Sequence, residues 1–407
     1  MRLLFVSPGY PGLEAVDSSS GVGAYVREMA QGLVERGHEC QVLAWSKGGE
    51  CGSCDVDGVR VHYEGRRVWP VLERWSPEQR NVAIRAWAAS RLNRRTPFDW
   101  IEIQSDEGVD VGIQRALPHK TILRVHTTLK QIIATKGIEI TRRRRAYLRL
   151  EEASFRLAKR VITHSASHAA TLKAIHPELC RPQIVPHGVG AADERRNSPP
   201  PMLERLRILV VGTLDLRKGT DRLPAVVNAF ARMFGPVELR FVSASRESQL
   251  RDFGILSSQL PQVTVTYRSS LSQPELESEY RSATALLHLA RYESFGLPLI
   301  EAASWGLPVV ATNTGVAPEL LTGQLQPLLV DGDSPEDCVR GLRAAITGGS
   351  ELRAAIFQAY AQRFTRAAMV DAFLGVLSSW IPREQSRSRR TNGLRVTRQP
   401  LVATTQC

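Results

Sequence analysis

No apolar run in this 407-residue chain approaches the ~18 residues that a membrane-spanning helix needs. The opening stretch, Met1-Arg2-Leu3-Leu4-Phe5-Val6-Ser7, is interrupted by Pro8 and Gly9 too soon to serve as the apolar core of a signal peptide. A soluble, cytoplasmic protein is expected, meeting a membrane only at its inner face. Cysteine is scarce: there are six, and the one close pair, Cys51-Gly-Ser-Cys54, has no second pair or histidine pair at zinc spacing. That argues against a zinc module and against a disulfide framework, leaving free thiols. Asp55-Val-Asp57 and Asp331-Gly-Asp333 spell acid pairs that suit either a divalent ion or a polar turn, and the turn is the simpler reading. The chain also lacks a nucleic-acid recognition module or an aromatic stacking motif, so no nucleic-acid partner is expected despite its charge.

What the chain has is base in excess. Lys and Arg number 53 against 41 Asp and Glu, a net +12. An anionic membrane or a phosphorylated substrate fits that balance. The length exceeds one ordinary core, and two domains follow. Strand-like and helix-like runs alternate twice along it. The first series starts with a strand at Arg2 to Ser7 and a helix from about Gly23 to Arg36 that stops at Gly37. Further strands are expected at Gln41 to Trp45, Phe98 to Ile103, Thr121 to Val125, Val161 to His164 and Gln183 to Val185. The second series has strands at Arg207 to Val211, Glu238 to Val242, Val263 to Thr266, Ala285 to Leu289 and Pro308 to Ala311. Repeated strand-loop-helix order predicts α/β architecture with doubly wound parallel sheets. Residues 1–190 form the first expected domain, 191–205 with Pro199 to Pro201 a linker, and 206–363 the second domain. A helix over 364–382 and a basic, disordered tail over 383–407 complete the chain.

The most informative stretch is Tyr292-Glu-Ser-Phe-Gly-Leu-Pro-Leu-Ile-Glu301. It follows the buried strand of Ala285 to Leu289, turns at Phe295 and Gly296, and enters a helix in whose first turn Pro298 fits. Backbone N–H groups at such a helix start favour phosphate or sugar oxygens. Glu293 faces the crevice from the loop and Glu301 from the helix. Glu301 lies among Ile300, Ala302 and Ala303, where an acid needs a defined partner. At the second domain's first strand, Gly212-Thr213-Leu214-Asp215-Leu216-Arg217-Lys218-Gly219 offers a cationic pair for a diphosphate, or else a solvated basic turn. In the first domain Gly21 and Gly23 precede a helix and permit close backbone approach, or simply make a flexible loop. His126, at the end of a strand in Arg124-Val-His126-Thr127-Thr128, either donates to a substrate oxygen or satisfies the local backbone. Pro186-His187-Gly188 lies at the hinge. Arg142 to Arg145, with Arg149, Lys130 and Lys136, form a basic stretch suited to an anionic membrane, or a solvated face partly neutralised by Glu151 and Glu152.

In order and spacing these elements resemble glycosyltransferase family 4, the large retaining family with the GT-B fold of two facing Rossmann-like domains, over Met1 to about Trp380. The resemblance implies transfer of a sugar from a nucleotide-diphosphate sugar to a hydroxyl acceptor, a glycan, a lipid-linked sugar or a small metabolite, with no cofactor and no metal. It implies that Arg217 and Lys218 bind the diphosphate, that Glu301 bonds the ribose, and that Glu293 meets the sugar near the reacting carbon. Gly212, Thr213 and the backbone of Phe295, Gly296 and Leu297 would hold sugar and phosphates. His126 would approach the sugar from the first domain, with the Gly21/Gly23 loop beside the diphosphate, and the last helix would cross back onto the first domain. Thr213, where many members have arginine, His187, where asparagine is usual, and the single glycine of Gly315-Val-Ala-Pro318-Glu319 leave the donor sugar open. A subunit that binds nucleotide sugar without turning it over is the alternative; it would call for a defect at Glu293 or His126, and both are present.

Overall fold

The computed structural model describes residues 1–16, 21–65, 75–105, 108–190, 206–255, 262–269 and 271–380. The expected linker over 191–205 and the tail over 383–407 lie outside them. Two sheets organise the chain. The first contains β1 (Arg2–Val6), β2 (Glu39–Trp45), β3 (Gly52–Val56), β4 (Val59–Glu64), β5 (Trp100–Gln104), β6 (Thr121–Arg124), β7 (Val161–Thr163) and β8 (Gln183–Ile184), in the order β3-β4-β2-β1-β5-β6-β7-β8. The second contains β9 (Leu206–Val211), β10 (Val237–Val242), β11 (Val263–Arg268), β12 (Ala285–His288), β13 (Val309–Thr312) and β14 (Leu329–Val330), in the order β11-β10-β9-β12-β13-β14. Every pairing is parallel except β3 with β4.

Strand composition follows from that layout. β5 and β6 are buried along their whole length and β1 along all but its first residue, because helices cover both faces of a parallel sheet. The edge strand β3 instead alternates in exposure. It is also absent from the strands expected from sequence, which pass from 41–45 to 98–103 and read Asp55-Val-Asp57 as a polar turn. Asp57 and Gly58, with φ of 49° and 78°, form a two-residue turn that closes a β3–β4 hairpin. Positive φ at both central residues is what such a hairpin demands, and Asp-Gly supplies it.

Both sheets reverse strand order at their first strand. β1 sits between β2 and β5, and β9 between β10 and β12. A crevice opens at the carboxyl end of each such switch point.

The helix α1 (Gly21–Glu35) buries Tyr25, Val26, Met29, Ala30, Gly32 and Leu33. Gly32 is there because another helix crosses it: a Cβ would lie 2.7 Å from Val370 Cγ2. That helix, Arg366–Trp380, comes from the far end of the chain and places Met369, Val370, Phe373 and Leu377 in the core of the first domain. Arg366 bonds Glu28 at 2.8 Å and Glu35 at 2.7 Å, and Arg36 pairs with Asp371. Backbone exchange between Val189 and Phe364–Arg366, at 3.1 Å each way, joins the two segments that connect the domains.

Candidate functional site

The two crevices face one another across a cleft of about 520 Å³, within the range of small-molecule sites. Its second-domain wall is built first by glycine. Gly212 follows β9 with φ of 136°, and Gly219 has φ of 70° with Leu289 O where a Cβ would go. Between them Asp215 caps a tight 3-10 turn over Leu216–Lys218, accepting from Lys218 N at 2.9 Å. The turn aims Arg217 and Lys218 into the cleft together with Thr213.

Both cations find the same carboxylate. Lys218 Nζ and His288 Nε2 (3.1 Å) contact Glu293 Oε1, and Arg217 Nη1 lies 3.7 Å from Oε2. Glu293 is 7 % exposed. Burial alone would raise its carboxyl, but Lys218, His288 and Arg217 more than offset that and hold it well below the usual carboxylate range. His288 is lowered by its own burial, against the pull of Glu293. Sequence reasoning passed over His288 as part of an apolar strand. Its signal is that it is the single polar residue of Ala285 to Leu289, five residues before the acid it bonds.

The loop of Glu293 is held from behind. Gly315, with φ of 56°, packs so closely that a Cβ would lie 2.2 Å from Phe295 O, and Val316 N donates to that oxygen at 2.7 Å. Phe295 is buried, Gly296 has φ of 98°, and α2 (Leu297–Ser304) starts there with Pro298 in its first turn. Its positive end therefore points at the cleft. Glu301, one helical turn on, accepts from Tyr280 Oη at 2.6 Å and borders both the cleft and an adjoining cavity of about 280 Å³. Burial raises its carboxyl, opposed by the Tyr280 hydrogen bond.

The first-domain wall is aromatic and neutral. His126, His187, Ser105 and Thr127 line it, with Pro8, Gly21 and Val22 at the start of α1. Gly21 faces the other domain directly, since a Cβ there would lie 3.4 Å from Leu297 Cδ1. Gly23 does not line the cleft; it is buried in α1. His187 stacks on His164 with ring centroids 4.0 Å apart and meets Phe295 edge-on at 4.7 Å. Burial, chiefly, lowers His126, His164 and His187 well below the ordinary histidine value. Beneath them Arg124, fully buried, bonds Glu102 at 2.9 Å and lies over the ring of Tyr25.

Those three histidines also bring one ring nitrogen each within 4.8 Å of one another, a candidate metal site. The arrangement opposes a cation. Arg124 Nη1 approaches His164 Nδ1 at 3.5 Å, so a buried guanidinium stands beside the cluster and repels a second cation. Stacked rings, moreover, turn their faces rather than their in-plane lone pairs toward each other.

Polar ties between the walls join the aromatic contact of His187 with Phe295. Lys136 meets Asp215 at 3.2 Å, Ser165 Oγ donates to Ser294 O at 3.2 Å, and Ala166 N donates to Glu319 at 2.8 Å. The basic stretch differs in detail from its expected neutralisation. Glu151 is buried and accepts from Leu129 N at 2.7 Å, while Glu152 pairs with Arg156. Arg143 bonds Glu78, and Arg142, Arg145 and Arg149 remain exposed.

Comparison with known proteins agrees with this architecture. Residues 19–192 match the model for Glycosyltransferase Family 4, and 192–363 that for Glycosyl transferases group 1. A D-inositol 3-phosphate glycosyltransferase of Paenarthrobacter aurescens is 27% identical over 348 residues, covering 78% of this chain and 82% of that protein. An MMP alpha-(1->4)-mannosyltransferase of Mycolicibacterium hassiacum is 26% identical over 359 residues, covering 78% and 84%. Among solved structures, sucrose-phosphate synthase from Thermosynechococcus elongatus superposes with a TM-score of 0.70 at 17% identity, covering 96% of this chain and 99% of that one.

Proposed function

The chain belongs to the glycosyltransferases of the family 4 type with the GT-B fold, and from that premise we propose that it is a retaining enzyme that transfers a sugar from a nucleotide-diphosphate sugar to a hydroxyl acceptor without a metal. The observation that carries the reading is the meeting of Arg217, Lys218 and the start of α2 around one buried carboxylate. Arg217, Lys218 and Lys136 stand against the carboxylates of Glu293 and Asp215, and with a helix terminus worth roughly half a charge they leave positive charge to spare for a diphosphate. The sugar's C1–O bond to the diphosphate breaks as the acceptor oxygen bonds C1, and the acceptor's proton passes to the departing phosphate oxygen. Charge grows on the diphosphate in that step, where fixed cations and backbone dipoles stabilise it without reorganising.

In this reading Glu293 shares its cations with the diphosphate and turns its own carboxylate toward the sugar. Glu301, steadied by Tyr280, meets the ribose. The acceptor enters beside the start of α1, and the relatives' names make sugar phosphates and polyol phosphates the first small acceptors to try, beside glycans and lipid-linked sugars. Arg142, Arg145 and Arg149 suit an anionic membrane on the cytoplasmic side for an acceptor of the last kind. The test is product analysis. Incubation with UDP-, GDP- and ADP-sugars and a panel of acceptors, in chelator, should give one glycoside whose proton NMR coupling shows the donor's anomeric configuration. An inverted product, or transfer that stops in chelator and returns with a divalent ion, would refute the mechanism.

A further inference from the structure

Below the first-domain wall runs a chain of hydrogen bonds whose directions can be read without seeing a proton. Glu102 Oε1 accepts from Arg124 Nε at 2.9 Å, from Tyr25 Oη at 2.8 Å and from Gln104 Nε2 at 2.9 Å. A carboxylate held by a guanidinium only accepts, so the amide of Gln104 must turn its NH₂ toward Glu102. Its oxygen is thereby committed to the other side. There it lies 2.7 Å from Nε2 of His126. An amide oxygen cannot donate, so the proton of that contact belongs to His126 Nε2.

We infer that Gln104 is a positioning residue that locks His126 in its Nε2–H tautomer, so that Nδ1 meets the substrate as a hydrogen-bond acceptor. What lies opposite Nδ1, a sugar hydroxyl, rests on the glycosyl-transfer reading; the lock itself does not. The surroundings keep the ring neutral, as acceptance requires. Burial lowers its basicity, and Arg124 and His168 add to that. His126 N also donates to Ser105 Oγ at 3.0 Å, fixing the backbone that carries the ring. Gln104 itself is 3 % exposed and Glu102 2 % exposed, so solvent does not compete for either bond. Of the two roles left open for His126 by sequence, donating to a substrate oxygen or satisfying a local group, this lock spends the donor on Gln104 and leaves an acceptor for the substrate.

Nitrogen-15 spectra of the full chain labelled at histidine report which ring nitrogen carries the proton, with the His126 signal assigned by its loss in His126→Asn. The native protein at neutral pH should show His126 protonated on Nε2, and Gln104→Met should move it to a mixture of tautomers. Hydrogen bonds that orient an imidazole from behind are worth about 10–100-fold where removed beneath metal-bound histidines. A kcat loss in that range is expected for Gln104→Met, with nucleotide affinity unchanged. His126→Asn, which keeps an oxygen near the Nδ1 position, should retain more transfer than His126→Gln, which extends toward Nε2. A native ring protonated on Nδ1 or on both nitrogens overturns the inference, as does a Gln104→Met protein with native tautomer and native kcat. An Nε2–H ring in a protein that transfers no sugar leaves the lock standing and overturns the reading of the cleft instead.

Discussion

The two walls of the cleft solve opposite electrostatic problems. On the second-domain wall, Arg217, Lys218 and Glu293 keep full charges within a few ångströms of one another at the switch point of β9. On the first-domain wall, His126, His164 and His187 are held neutral above the buried Arg124–Glu102 pair. In the proposed transfer, the difference teaches where the chemistry puts its charge. A departing diphosphate needs cations, whereas a neutral sugar needs oriented donors and acceptors that do not compete for the phosphates. Neutral imidazoles supply the second without weakening the first.

Removing the cations should break the comparison most completely. In the proposed transfer, Arg217→Ala and Lys218→Ala each delete a group that stabilises charge as it develops. A loss in kcat/KM of roughly 10²–10³-fold for each is expected, with weaker nucleotide binding, by steady-state kinetics and calorimetry. Glu293→Gln separates charge from shape. Transfer should fall as far, yet nucleotide should bind at least as tightly, because the cations lose their internal partner. The variant should melt lower without ligand and gain more on adding nucleotide, since an unpaired cation cluster is costly. Loss of nucleotide binding by the folded variant would count against the assignment.

The pH dependence of stability sharpens the contrast further. Glu293 is depressed on folding, so its contribution is present above the ordinary value of 4.5 and is lost as pH falls through its folded value below that. The three histidines are also depressed. Their contribution is present above about 6.5 and is lost as pH falls below it, because the unfolded chain takes up protons that the folded one refuses. Denaturant titrations should therefore show two acid-side slopes. The upper one, at most about 1.4 kcal/mol per pH unit for each histidine, should shrink in His164→Asn, and the lower one in Glu293→Gln. Equal slopes in wild type and variants would dissolve the distinction. The smallest effect is expected at Tyr280→Phe, which removes one hydrogen bond to Glu301 and should raise the donor KM by about tenfold or less with kcat nearly unchanged.

What could be read from sequence was whatever is local. The helix start at Pro298, the turn of Gly212 to Gly219 and the eight-residue spacing of Glu293 and Glu301 all lie within single strand-loop-helix units, and the structure brings them to one cleft. What was hidden depends on groups distant in the chain. Lys218 and Glu293 are 75 residues apart and bond across two strand ends. Glu151 reads as a surface acid in a basic helix, yet it caps the start of a helix at Leu129, 22 residues earlier. The Gln104–Glu102 contact spans only two residues of β5, but its meaning depends on Arg124 from β6. Alternation along a strand shows that Glu102 and Gln104 share a face, and not that the face is buried and ionic. The β3–β4 hairpin is legible in Asp57-Gly58, but an acid pair beside a glycine reads equally as an isolated polar turn until the strands on either side are paired.

The central claim is that the charged wall holds a nucleoside diphosphate, and thermal shift tests it most directly. Wild type and the Arg217→Ala/Lys218→Ala double variant would be melted with UDP, GDP, ADP and their sugar conjugates, with and without chelator. A ligand that binds only the folded protein must raise the melting temperature. A rise with one nucleotide that is indifferent to chelator and absent from the double variant is the predicted result. No rise with any nucleotide, or an equal rise in the double variant, would contradict it.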